Sequence, residues 1–310
     1  MNNPPVRIFC GADRSEVLPF EVLAWSIRRH ASLPVDIRSI HNGQAPLPAD
    51  PRHSPYTEFS FARFAIPALC GHAGRAIYLD SDMLVFRDIA ELWNTPLDGA
   101  RIAIEVGSRQ QADRGKHAAV MLLDCGRLPW RVDDIVNNLG RKYDYNALMA
   151  IDPLLQPGDM RELIPAGWND LDHYDPDRTR NLHFTEIRTQ PWVRPGHPHG
   201  DLWVQALRQM LDEGAMEAAL VRDEVEQGHV RPSLLVELGL EDGPRGQPEA
   251  MRQYDQARGY VPHQRLLARF AARKRAVRRV RCDEACARRP WLAPVYRLAL
   301  WLRERRDAAR

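Results

Sequence analysis

No run of apolar residues in this sequence reaches the length of a membrane-spanning helix. The start, Met1-Asn2-Asn3-Pro4-Pro5, leads straight into Val6-Arg7-Ile8-Phe9-Cys10 without the basic and apolar regions of a secretory leader, so cytoplasmic residence is expected. Cysteine is scarce. The five present, Cys10, Cys70, Cys125, Cys282 and Cys286, are odd in number and lack a disulfide-like rhythm. Cys282 and Cys286 form a CxxxC with no second Cys or His pair nearby, which argues against a zinc site. No internal repeat and no nucleic-acid recognition fold are visible, so nucleic acid is not an expected partner.

What is present is enough for a substantial core: 310 residues, 44% of them hydrophobic. The net charge of +2 conceals an asymmetry, because Gln264 to Arg310 holds 15 Arg or Lys against 4 Asp or Glu. An acidic body therefore carries a basic tail.

Val6 to Cys10 reads as a strand, Gly11 to Ser15 as a polar turn, the stretch through Val22, Leu23 and Ile27 as a helix, and Val35 to Ile40 as a second strand. A β-α-β start implies an α/β fold with a mostly parallel sheet and flanking helices. Phe59 to Leu69 has helical spacing, Ala76 to Leu79 is a buried strand, and Asp88 to Trp93 is a short capped helix. Arg101 to Val106 and Ala118 to Leu123 read as further strands, and Asp201 to Met216 as a helix. Residues 107–117 lack apolar content and form a candidate mobile loop. Gly239 to Gly259, rich in Gly, Pro and charge, reads as a linker. The expected division is residues 1–216 as the main domain, 217–263 as a linker or peripheral segment, and 264–310 as a basic helical tail.

The most informative segment is Ala76-Ile77-Tyr78-Leu79-Asp80-Ser81-Asp82. An apolar strand delivers two carboxylates to the rim of a sheet, where residues i and i+2 project to one side. A divalent cation between Asp80 and Asp82 would relieve their repulsion and leave charge for a diphosphate; a solvated Asp-Ser-Asp turn is the alternative. His183, in an apolar stretch before Pro191-Trp192, is either a third ligand or a structural histidine.

The order of these pieces resembles glycosyltransferase family 8, retaining sugar-nucleotide transferases of the Rossmann-like GT-A fold. The resemblance runs from residue 6 to about residue 210. It rests on Gly11-Ala12-Asp13, Phe61-Ala62-Arg63-Phe64, Tyr78 to Asp82 with Asp88-Ile89 and Leu92-Trp93, Val120 to Asp124, Trp168-Asn169, and His183-Phe184 ahead of Pro191-Trp192. It implies manganese, with magnesium as the alternative, bound by Asp80, Asp82 and His183, and a UDP-sugar donor. It also implies that Gly11, Ala12 and Asp13 hold the nucleoside, that Arg63 faces the diphosphate or sugar, and that Ser81 and Gln190 lie beside the donor. Together with a membrane-seeking tail, the resemblance implies as acceptor a bacterial envelope or capsule polysaccharide, or a lipid-linked glycan.

Three departures matter. His117-Ala118-Ala119 replaces the family's Asn-Ser/Ala-Gly, removing an amide expected beside the sugar. Gln190 stands where a phosphate-binding Lys is usual, with Arg188 as the nearby substitute. The acidic and amide cluster upstream of Trp168-Asn169 has no clear counterpart except Asp144. The rival readings are a UDP-sugar binder that has lost transfer and a phosphatase of the haloacid dehalogenase type, disfavoured by Leu84 and by the 79 residues before Asp80.

The tail alternates Leu266, Leu267, Phe270 and Val277 with arginines, and Pro290 to Leu302 adds a second apolar helix. A basic amphipathic helix suits an anionic bilayer, and packing against the main domain is the alternative. The membrane reading implies peripheral attachment to the inner face of the membrane, and a tail removable without loss of metal or UDP binding.

Overall fold

The computed structural model describes residues 4–41, 46–57, 59–108 and 117–308. Of the polar loop expected over 107–117, residues 109–116 lie outside the described residues. Nine strands are described: β1 Val6–Gly11, β2 Val35–Ile40, β3 Arg75–Asp80, β4 Met83–Val85, β5 Ile102–Glu105, β6 Val120–Asp124, β7 Met160–Ile164, β8 Asp170–Leu171 and β9 Asn181–His183. The helices of the first half are α1 Val17–His30, α2 Ile66–Leu69, α3 Ile89–Trp93, α4 Val132–Asn137 and α5 Tyr145–Met149. Those of the second half are α6 Gly200–Asp212, α7 Ala218–Glu226, α8 Ser233–Glu237, α9 Pro248–Ala257, α10 Gln264–Arg288 and α11 Ala293–Ala308.

The main sheet runs β2-β1-β3-β6-β5-β7, and only β6 opposes the other five strands. This is the mostly parallel α/β sheet expected. The apolar run of β3 follows from burial on both faces. Ile77 and Leu79 join Leu23 and Ile27 of α1 in one cluster, while Ala76 and Tyr78 join Phe61 and Phe64 in another. Alternation along β3 therefore serves two cores.

A smaller sheet, β4-β9-β8, stands beside the carboxyl end of β3. Its antiparallel pairing sets Met83 opposite His183. A third cluster packs Leu182, Phe184 and Trp192 against Trp203, Leu207 and Met210 of α6 and against Val221, Leu234 and Leu235.

Several local expectations are corrected. Phe59 to Leu69 is not one helix: residues 62–65 form a 3₁₀ turn, and α2 covers only four residues. Pro67 has no N–H for the carbonyl of Arg63, which instead accepts from Ile66 in 3₁₀ geometry. The strand expected from Ala118 begins at Val120, and the helix expected to Met216 ends at Asp212. Gly239 to Gly259, expected as a linker, contains α9, whose Met251 and Asp255 are buried. The reason is a polar network that composition conceals. Arg231 donates to Pro191 O (2.7 Å) and Ser233 Oγ (2.7 Å), and the Ser233 hydroxyl donates to Asp255 Oδ2 (2.8 Å). A buried cation with a bond from each of its three guanidinium nitrogens, the third to Glu237, ties this segment through Ser233 to the loop that follows His183.

Candidate metal and diphosphate site

The site forms at the carboxyl ends of β1 and β3, where Gly11 pairs with Asp80. Gly11 is required by crowding: a Cβ there would lie 2.5 Å from both the Phe59 ring and the Tyr78 hydroxyl. Ala12 is buried beside it, and Ser81, also buried, donates its N–H to Gly11 O at 3.1 Å.

Asp80, Asp82 and His183 each offer a ligand atom, and the three atoms lie within 4.8 Å of one another. The ladder that brings them together is visible in the bonds: the Phe184 N–H donates to Asp82 O at 2.8 Å, clamping a segment a hundred residues distant onto the acids. His183 is fully buried. Donation from its Nδ1 to Asn169 Oδ1 (2.8 Å) leaves Nε2 as the lone-pair nitrogen. Nε2 has no hydrogen bond among the described residues, although it sits 3.0 Å from Asp82 Oδ1. Two lone-pair atoms at that distance repel each other, and a cation held between them would relieve that repulsion. The donor set of two carboxylates and an imidazole suits manganese or magnesium rather than a soft metal. The residues fit the implied ion.

Each ligand is oriented by a neighbour. Burial keeps the Tyr78 phenol protonated, its pKa raised well above the usual range, and it donates to Asp80 Oδ1 at 2.6 Å. Arg63, buried over the Tyr78 ring, reaches the same oxygen at 3.5 Å and donates to Ala118 O at 3.2 Å. Gln190 donates Nε2 to Asp82 Oδ2 (3.1 Å) and to Phe184 O (2.9 Å). Asn169 is placed by the parallel pairing of β8 with β9 and by donating its N–H to Glu105 Oε1 (3.1 Å), which also takes the Gly167 N–H (2.6 Å). Gly167, at φ +94°, could not carry a Cβ, which would lie 2.4 Å from Arg178 O. Asp172 anchors the chain just beyond His183. Although burial opposes ionisation, hydrogen bonds from His197, Thr185 and the Glu186 N–H hold its carboxyl down at about 2.

The candidates from sequence do not all converge. Asp13 lines the cleft but also caps the turn at residues 14–16, accepting from Ser15 N at 2.8 Å, and faces Arg269 at 3.7 Å. Arg188 is exposed on the turn after Glu186, and Asp144 is the exposed N-cap of α5, accepting from Ala147 N at 2.8 Å; neither lines the cleft. Their proximity in sequence to a motif did not translate into proximity in space. Conversely, Glu16 was missed. It closes a reciprocal cap by accepting the Asp13 N–H at 2.9 Å, and burial, followed by the carboxylates of Asp13, Asp82 and Asp80, holds its own carboxyl well above the usual range. The Asp13-x-x-Glu16 spacing was the available signal.

The start of the tail lines this cleft. The cleft, of about 120 Å³, is lined by Asp80, Asp82 and Glu16 and by His263, Gln264, Arg265 and Leu266. Residues at the start of α10 face the same space as the acids that end β3. Farther along, Arg273 donates to Arg52 O and stacks on Tyr56, and Phe270 meets that ring at 5.7 Å. Side chains from the first turn of α10 line the cleft, which hydropathy could not reveal.

Fold and site together define an α/β protein with a two-carboxylate, one-imidazole cation cluster at the carboxyl edge of its sheet. Residues 9–123, a little over a third of the chain, match the model described as glycosyl transferase family 8. Over 98 residues it is 37% identical to Protein CDI of Arabidopsis thaliana, a match covering 28% of this chain and 36% of that protein. Over 86 residues it is 35% identical to Glycosyltransferase 8 domain-containing protein 1 of Mus musculus, covering 28% of this chain and 18% of that protein. The chain thus spans little more than a third of the first relative's length and less than a fifth of the second's. Among solved structures, the glycosyltransferase GlyE of Streptococcus pneumoniae TIGR4 aligns at 16% identity and a TM-score of 0.48, covering 74% of this chain and 66% of that one. LgtC aligns at 17% identity and 0.47, covering 65% and 95%.

Proposed function

We propose that this protein is a metal-dependent glycosyltransferase that moves a hexose from a UDP-sugar to a glycan or lipid-linked acceptor with retention at the anomeric carbon. The observation that carries the proposal is the cluster of Asp80, Asp82 and His183 with its unbonded, buried Nε2. Manganese or magnesium held there would supply Lewis-acid stabilisation of the charge on a departing diphosphate. The chain's own residues do the rest. Tyr78 and Arg63 orient Asp80, Gln190 orients Asp82, and Asn169 fixes the tautomer of His183. The crowded turn at Gly11 and Ala12, with Asp13, is the proposed seat of the nucleoside, and the expectation that Arg63 faces the donor is retained through its contact with Asp80. Retention follows from the family resemblance.

A thermal-shift screen of UDP-sugars with and without manganese tests the reading, because a ligand selective for the native state raises its melting temperature. At a ligand concentration of a hundred times Kd, the gain is about 2.7 kcal/mol. Stabilisation is expected only with metal and nucleotide together; equal shifts without metal would reject metal dependence. A donor that binds but releases no UDP on long incubation would point to the binding-only alternative.

For the acceptor, α11 supports a membrane-surface reading. Trp291 precedes it, and Val295, Leu298 and Leu302 follow at intervals of four, three and four residues, all exposed and interleaved with arginines. No described helix is long and apolar enough to cross a membrane. Co-sedimentation with vesicles containing phosphatidylserine is expected for the full chain and reduced when residues 289–310 are removed; equal pelleting of both forms would reject attachment through α11.

A further inference from the structure

Resting on the donor reading above, we infer that the start of the basic C-terminal helix supplies the cation for the donor diphosphate, with Arg265 as the binding residue and Arg269 as its support at the Asp13 edge. A divalent ion balances Asp80 and Asp82, but a diphosphate brings at least two further negative charges into a cleft that also holds Asp13 and Glu16. Arg63 is turned onto Asp80 and Ala118 O and does not line the cleft, so another cation is needed. Gln190, at the position where a Lys would serve, is neutral, and its amide is committed to Asp82 and Phe184 O. Arg188 lies outside the cleft. Among the described residues lining the cleft, Arg265 is the one Arg or Lys.

Its placement is built. Buried Glu224 of α7 accepts from Arg14 Nη1 at 2.7 Å and holds His229 Nδ1 at 2.7 Å, and His229 Nε2 meets Arg265 Nη1 at 3.3 Å. His229 itself lines the cleft. This chain positions the guanidinium from the side of the body, and the planar fork of a guanidinium matches phosphate oxygens in geometry and charge. One turn on, Arg269 Nη1 stands 3.7 Å from Asp13 Oδ2. At the helix start, His263 (φ +54°) contacts Ile187 O, joining the entry of α10 to the segment that carries His183. Metal ligands and phosphate cation are thereby held by one connected framework.

The test is calorimetric titration of the full chain with UDP and, separately, with uridine, both in manganese. Arg265→Ala is expected to weaken UDP about 10- to 100-fold, the range for a charge-assisted hydrogen bond, while leaving uridine within twofold. Arg269→Ala is expected to weaken UDP less, and Arg265→Lys to recover part of the loss by restoring charge without the fork. Melting temperatures of the variants without ligand separate misfolding from lost binding, and Arg265→Lys serves if Arg265→Ala does not fold. Unchanged UDP affinity in Arg265→Ala, an equal loss for uridine, or a loss in Arg188→Ala instead would overturn the assignment. Failure of the unaltered chain to bind UDP in manganese would overturn the donor reading itself, and this inference with it.

Discussion

Manganese-dependent stabilisation by UDP is expected to vanish in Asp82→Asn, and transfer to fall by on the order of a thousandfold, the scale of several kcal/mol of lost charge stabilisation. Asp82 stands where the two distant parts of the site meet: one carboxylate oxygen lies 3.0 Å from His183 Nε2 and the other accepts from Gln190 at 3.1 Å. Asparagine retains an oxygen for Gln190, so the fold should survive, but it removes the negative charge that makes a hard cation worth desolvating. The metal-free variant is expected to be no less stable than the unaltered chain, since one of several clustered carboxylates is gone. Asn169→Ala offers a graded companion. It leaves all three ligands in place and frees His183 Nδ1, with a loss of metal affinity of about 10- to 100-fold that saturating manganese overcomes. Manganese titration followed by UDP-release assays reads both effects. Unaltered manganese binding by Asp82→Asn would remove the central claim.

Glu105→Gln is expected to flatten the dependence of stability on pH between about 4.5 and 7. Burial raises the Glu105 carboxyl from 4.5 to about 7, even though the N–H groups of Asn169 and Gly167 favour its charged form. Because the folded protein binds this proton more tightly than the unfolded chain, the contribution is fully present below about 4.5. It declines as pH rises through about 7. The total is roughly 3 kcal/mol. Glutamine does not titrate, and its carbonyl oxygen still accepts both N–H groups. Urea unfolding of the two proteins at pH 4 and pH 8 isolates the effect: the variant should gain relative to the unaltered chain at the higher pH. Parallel profiles would show that Glu105 does not titrate in this window. The residue matters to the site because it seats the backbone of Asn169, and Asn169 seats His183.

The strands most legible in the sequence were those with the strongest physical signature. β1, β2 and β3 are short apolar or alternating runs bounded by polar turns, and their β-α-β order leaves few topologies open. Asp80 and Asp82 were equally legible, since a two-residue spacing at the end of a buried strand has one geometric meaning. Asp88 behaved likewise: its side chain accepts from Ala90 N at 2.9 Å and caps α3 as its position suggested. Less legible were elements held by long-range polar bonds. Nothing in the composition of Gly239 to Gly259 reveals that Asp255 will accept from both the N–H and the hydroxyl of Ser233, and a segment rich in Gly and Pro reads as a connection until that partner is known.

By itself, then, the chain determined an α/β sheet, a pair of acids at the end of a buried strand and a basic end, because local periodicity and charge spacing are properties of a few consecutive residues. Only tertiary structure decided which distant groups meet them. The β4–β9 ladder brings His183 to Asp82, β8 delivers Asn169 behind it, and the start of α10 brings Arg265 into the cleft while Arg188 and Asp144 stay outside. These choices depend on contacts separated by tens to hundreds of residues. Such contacts form through the packing of whole elements, for which a short motif holds no record.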